Sequence, residues 1–273
     1  MSQPLILFEH NSVRYTEESV SAALRACGAK RGDTLFVHSE LSFLGKVSPE
    51  LGRGAFLGGF VRALEAVVGL EGTIVMPTFS YSYCKGEVYD PLQTPSTVGV
   101  LTEYFRTLPD TLRSSDAIFS VAARGKDAAY FTDVGENCFG TDSIFAKLYA
   151  RNALLVFIGT RFDITYIHFV EQQFSVPYRY MKYFKGRTKR GGSFEEHTFA
   201  YNVRPLDQDI EYNLEGIARF LERKRVLFTA PLGYARIRAV RAAAASVALR
   251  AGLAEDPYFL LIQKPTRPIS PEI

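Results

Sequence analysis

The chain has no tryptophan, only three methionines and only three cysteines in 273 residues. Cys27, Cys84 and Cys138 are odd in number, far apart and without a CxxC spacing. This argues against a disulfide framework or a zinc ribbon and suits a reducing, cytoplasmic compartment. No apolar run approaches the length needed to span a bilayer. The opening MSQPLILFEHNS lacks a basic start followed by an apolar core, so no secretory signal is expected. A net charge of +3 is too mild to argue for nucleic-acid binding. There is no GK[ST] phosphate loop, no HExxH, no internal repeat and no low-complexity tract. What remains is a globular chain with neither a nucleic-acid nor a membrane partner.

What is present is bulk and alternation. Apolar residues make up 47% of the chain and charged residues 22%, and 15 Tyr and 21 Phe stand in for the missing indoles. A chain of this length buries a large core without staples. Thr16, followed by Glu17 and Glu18, predicts a capped helix that Gly28 ends. Strands are expected at 33–40, 72–77, 117–125 and 153–159, with helices at 54–69, 97–108, 142–152 (capped by Asp142) and 163–174. The runs 72–77 and 153–159 are nearly all apolar, as strands buried on both faces should be. Two β-prone arms around Gly191–Gly192 predict a hairpin at about 182–203, inserted into one domain spanning 1–273. A helix at 207–224, strands at 225–233 and 234–240, a helix at 241–252 and a last strand near 257–262 complete the pattern. The class is α/β with a layered, mixed sheet.

In open α/β sheets, ligands bind beyond the carboxyl ends of the strands. Three apolar strands end in polar or small residues: His38–Ser39–Glu40, Thr78 with the long loop 78–96, and Gly159 ahead of ITYIHFVEQQF. In that last stretch His168 and Glu171 are three apart, on one helical face. A carboxylate that holds one imidazole nitrogen leaves the other free to take a proton. Thr165, one turn earlier, has a hydroxyl suited to a developing oxyanion. The same spacing also fits a core helix with His168 at its margin, or half of a metal site completed by His38. Cys84 sits in the long loop as a free thiol with no base beside it in the sequence. The run RYMKYFKGRTKR (179–190) carries six basic residues and no acid. It reads as a solvated face or as an attractor for a phosphorylated ligand.

RGDTLFVHSELSFLG, GTIVMPTFSY, YDPLQTPSTVGVLTEYFRTLPDTLRSS, FSVAARG, FGTDSIFAKLYARNALLVFIG, TYIHFVEQ and DPYFLL occur in this order. Together they resemble the aminoglycoside 3-N-acetyltransferase family over residues 16–262. The resemblance implies a three-layer α/β/α sandwich with a central mixed sheet, acetyl-CoA as co-substrate and no metal. It makes His168 the base for the acceptor amine, Glu171 its orienting partner and Thr165 an aid to the tetrahedral intermediate. His38, Ser39, Leu41, Gly45 and Ser120 become the cofactor-side candidates. Thr78, Tyr81, Asp116, Tyr178, Arg179 and Lys182 become the substrate-side candidates.

Two stretches depart from the family pattern. Relatives read Arg-Ser-x-His-Pro where this chain has Arg113–Ser114–Ser115–Asp116–Ala117, and a Ser where it has Glu40. The basic run would repel a polycation and suit an anionic acceptor. The expectation is therefore acetyl transfer to an amino sugar, nucleotide-linked and destined for a surface glycan. An aminoglycoside acceptor is the alternative, and a non-catalytic CoA-binding relative a further one. A homodimer is the assembly considered.

Overall fold

The computed structural model describes residues 4–208 and 210–266. In chain order its strands and helices are β1 (Ile6–His10), β2 (Val13–Thr16), α1 (Glu17–Ala26), β3 (Thr34–Ser39), β4 (Lys46–Val47), α2 (Arg53–Val68) and β5 (Thr73–Pro77). Next come α3 (Val100–Arg106), β6 (Leu112–Arg113), β7 (Val121–Gly125), α4 (Ala128–Thr132), α5 (Ile144–Ala150), β8 (Leu154–Ile158) and α6 (Ile167–Phe174). The hairpin β9 (Tyr180–Arg190) and β10 (Ser193–Val203) follows, then α7 (Leu214–Arg223), β11 (Leu227–Leu232), β12 (Ala235–Arg241) and α8 (Ala242–Glu255).

Seven strands form one mixed sheet in the order β11-β12-β8-β3-β5-β7-β6. Its centre is parallel: β3 pairs with β5 on one side and β8 on the other. The flanking strands β12 and β7 run antiparallel to that centre. Strand alternation decides which side chain meets which layer. Leu35, Val37, Ile74, Met76, Leu154 and Val156 pack with α1, α2 and α3 on one face. Phe36, Val75, Leu155 and Phe157 pack with α4, α5, α6, α7 and α8 on the other. The result is the three-layer α/β/α sandwich. Of the central strands covered on both faces, β8 is apolar at every position and β5 at all but Thr73, so both read as continuous runs.

The hairpin extends two residues earlier than 182, with Tyr180 paired to Val203. Gly191 and Gly192 have φ of 55° and 92°, the conformation a tight two-residue hairpin turn needs at both central positions. Thr16 caps α1 as expected, its hydroxyl accepting from the Ser19 amide.

Several expectations need correcting. α5 is capped by Ser143, whose hydroxyl accepts from the Ala146 amide, and not by Asp142. α7 begins at Leu214 because the Asn213 side chain caps it through the Gly216 amide; Asp209, inside the helix expected from 207, lies outside the described residues. β7 starts only at Val121, since 117–119 form a turn. No strand forms at 257–262: the Phe259 and Leu261 amides close turns onto Asp256 and Tyr258, leaving one bridge between Tyr212 and Leu261. A small sheet of β2, β1 and β4 was not anticipated. No helix among the described residues is long and apolar enough to cross a membrane.

Candidate active site

The carboxyl ends of β3, β5 and β8 open into one cavity of about 570 Å³. His38 and Ser39 reach it from β3, Pro77 from β5, and Gly159 from the residue after β8. Thr97, Val98 and Gly99 bound it at the end of the long loop, and Arg161, Asp163 and Thr165 on the approach to α6. The His38 ring stacks on Phe157 at 5.2 Å and meets Phe36 edge-on. Burial drives its pKa down to about 4, so the imidazole is neutral. Among the described residues the buried Ser39 hydroxyl finds no hydrogen-bond partner, and Ser39 lines the same cavity. A buried hydroxyl without a partner is a group that a ligand can satisfy.

A second cavity of about 490 Å³ lies beside the hairpin. His168, Arg179, Lys182 and Arg204 line it together with Phe119, Phe184 and Tyr201. Tyr81 lines both cavities, so the two are neighbours across this residue. Thr165 and His168 therefore open into different cavities, three residues apart in sequence.

His168 and Glu171 both lie on α6, and Glu171 has no exposed surface. His168 Nδ1 is 2.7 Å from Glu171 Oε2. The other oxygen, Oε1, accepts from the hydroxyls of Tyr178 at 2.8 Å and Tyr212 at 2.7 Å. Arg179 Nε lies 2.8 Å from Oε2. Burial alone would raise the Glu171 pKa, but the Arg179 charge and the His168 contact outweigh it and hold it below the ordinary value. An ionised carboxylate only accepts, so Nδ1 carries the proton and Nε2 the lone pair. Burial, and then the Arg179 charge, lower the pKa of His168 against the pull of Glu171. The arrangement is a neutral imidazole with a fixed tautomer, at the wall of a cavity. That is what a general base for an amine requires.

Other candidates are placed elsewhere. Leu41 is buried in the core behind the first cavity. Gly45 has φ of 158°, and a Cβ there would meet the Glu9 carbonyl oxygen at 2.5 Å, so its role is close backbone packing. Thr78 and Ser120 are fully buried around Arg113: Arg113 Nη2 donates to the Thr78 carbonyl at 2.7 Å, and the Ser120 hydroxyl donates to that carbonyl at 2.6 Å. Asp116 is 2% exposed and turns inward, accepting from the Ile118 and Phe119 amides at 2.8 Å each. Tyr178 is fully buried and donates its hydroxyl to Glu171. None of these six lines either cavity. Cys84 does line the second, but its thiol contacts the Tyr201 hydroxyl, and burial raises its pKa and favours the protonated form.

The basic run divides by strand alternation. Lys182 faces the cavity, while Lys185, Arg187 and Lys189 are exposed on the opposite face of β9. Arg179 is spent on Glu171, and Lys189 pairs with Asp90. Six charges do not converge on the dyad. Tyr212 escaped the sequence reading because it arrives from 41 residues beyond Glu171 with no local motif. Among the described residues no group of three His, Cys, Asp or Glu is placed to hold a metal ion, and His38 and His168 line separate cavities.

Comparison with known proteins adds a lineage to this geometry. The family model described as aminoglycoside 3-N-acetyltransferase matches residues 36–253. A SPbeta prophage-derived aminoglycoside N(3')-acetyltransferase-like protein of Bacillus subtilis (strain 168) is 29% identical over 201 residues, covering 63% of this chain and 70% of that protein. Aminoglycoside N(3)-acetyltransferase IV of Salmonella sp is 28% identical over 240 residues, covering 86% and 85%. The solved structure of AAC-IIIb with CoASH has a TM-score of 0.77 at 22% identity, covering 92% of this chain and 99% of that one. AAC-VIa bound to sisomicin has a TM-score of 0.75 at 22% identity, covering 88% and 98%.

Proposed function

The chain belongs to the aminoglycoside 3-N-acetyltransferase family, and from that membership we propose that it transfers the acetyl group of acetyl-CoA to an amine of an aminated sugar. An aminoglycoside is the acceptor that the named relatives favour. The observation that carries the reading is His168, tautomer-fixed by buried Glu171 and lining a cavity that adjoins a second one at Tyr81. The cavity of Ser39 and Thr165 takes the thioester, with Arg161 at its wall as a cation for phosphate. The cavity of His168 takes the amine. His168 Nε2 removes a proton from the amine nitrogen as that nitrogen attacks the thioester carbonyl. The C–N bond forms, the tetrahedral intermediate collapses with cleavage of C–S, and the thiolate takes the proton held by His168, which leaves CoA-SH and the neutral imidazole. Thr165 is the proposed donor to the oxyanion. The reading sets the reaction in the cytoplasm, supported by three free thiols.

One observation favours a second acceptor. Among the described residues the lining of the acceptor cavity includes the cations Lys182 and Arg204 beside Arg179, whose charge Glu171 takes, and no carboxylate. An aminoglycoside is a polycation and is drawn to acidic walls; a nucleotide-linked amino sugar is anionic and tolerates basic ones. Release of CoA thiol in the presence of acetyl-CoA and either a kanamycin-type aminoglycoside or a nucleotide amino sugar separates the two. The faster acceptor, as kcat/KM, identifies the class. Failure of every amine to release CoA would reject the transferase reading.

A further inference from the structure

Glu171 is held by more groups than orienting one imidazole requires. Arg179, 5% exposed at its side chain, lies at 2.8 Å from Oε2, and its Nη2 comes within 3.1 Å of His168 Nδ1. Arg179 Nη1 donates to the Asn202 carbonyl on β10, and Nε donates to the Tyr212 hydroxyl at 2.9 Å. That hydroxyl in turn donates a hydrogen bond to Glu171 Oε1 at 2.7 Å. Tyr212 is itself anchored by its bridge to Leu261 and by the Asn213 amide, which donates to the Leu260 carbonyl at 3.0 Å. Its ring meets the His168 ring edge-on at 5.4 Å.

A buried carboxylate needs a countercharge. Two groups here can supply it: the guanidinium, or the imidazole in its protonated form. If His168 did so, it would be an imidazolium with no lone pair for an amine proton. We infer that Arg179, held by Tyr212, is a positioning residue that supplies Glu171's countercharge in place of His168 and so leaves His168 Nε2 the proton acceptor. The inference rests on the proposed reading of His168 as base. It moves Arg179 from the acceptor's binding wall to the support of the dyad, and assigns Tyr212 a role that its sequence context does not suggest. The other titratable groups facing the dyad's cavity are the cations Lys182 and Arg204, the Tyr180 hydroxyl, and the neutral Tyr81, Cys84 and Tyr201.

The test is the pH profile of kcat/KM at saturating acetyl-CoA for wild type, Arg179→Ala, Arg179→Lys, Tyr212→Phe and His168→Ala. Loss of the guanidinium should return the proton to His168. Arg179→Ala should move the acid limb upward by about one pH unit, which lowers kcat at neutral pH by up to about threefold, with acceptor KM within about twofold. Arg179→Lys should recover part of both effects. Tyr212→Phe loses one hydroxyl, serves where Arg179→Ala does not fold, and should move the limb in the same direction by less. An unmoved limb in Tyr212→Phe, or a raised acceptor KM with an unmoved limb in Arg179→Ala, overturns the inference. His168→Ala keeps the two readings apart. If it is active as wild type, the base assignment itself fails; if it is inactive while the limb of the other variants stays fixed, only the role of Arg179 and Tyr212 fails.

Discussion

His168 Nδ1 lies 2.7 Å from an oxygen of Glu171, a carboxylate with no exposed surface. The pair is local in sequence, on one face of α6, yet its environment is assembled from the segments around Tyr178, Arg179 and Tyr212. Removing the imidazole removes the base and leaves the other cavity untouched. His168→Ala is expected to lower kcat by roughly 10²-fold or more. Calorimetry should find its affinity for acetyl-CoA within about threefold of wild type.

Glu171→Gln keeps the shape and removes the charge. Its amide turns two donors toward groups that also donate, and it leaves Arg179 buried without its partner. Breaking a buried pair from one side costs about 3–5 kcal/mol. Urea unfolding should show a loss in that range, alongside a fall in kcat of about 10²-fold. A variant as stable as wild type would mean that water or another group compensates Arg179.

His38 makes stability depend on pH. Its folded pKa of about 4 lies below the ordinary 6.5, so between these values the unfolded chain binds the extra proton. Stability is therefore complete above pH 6.5 and falls as pH drops toward 4, by on the order of 2–3 kcal/mol from this group. His168, also lowered, acts in the same direction. Denaturation at pH 7 and pH 4.5 should show the loss. His38→Phe, which keeps a ring against Phe157, should show less of it.

Lys182 and Lys185 test the division of the basic run. Lys182 lines the acceptor cavity, while Lys185 points away from it. Lys182→Ala should change the acceptor KM about threefold or more, downward for a polycationic aminoglycoside and upward for a nucleotide-linked sugar. Lys185→Ala should leave it within twofold for both. Equal effects from the two would mean that the whole run acts through its long-range field, which salt would then abolish.

How far the sequence carried depended on how local each feature is. β5 and β8 stood out because burial on both faces makes a strand apolar throughout, and the Gly191–Gly192 turn marked the hairpin. The His168–Glu171 spacing was visible because helical geometry alone brings such residues together. Thr78 ends a strand, and Ser120 and Asp116 are candidates through the family resemblance, but the fold turns them onto Arg113 and backbone amides. A one-dimensional pattern does not tell a polar group facing a cavity from one satisfied inside the core. The basic run misled for a related reason: charges adjacent in sequence alternate faces once the segment is a strand. The β2-β1-β4 sheet was missed because its strands are short, one of them a single pair of residues.

The most direct test of the account is mass-spectrometric detection of acetyl transfer from acetyl-CoA to an amino-sugar acceptor by wild type and His168→Ala, side by side at saturating acetyl-CoA. The account predicts an acceptor heavier by one acetyl group with wild type and a rate reduced roughly 10²-fold or more in the variant. Equal rates for the two proteins would contradict it.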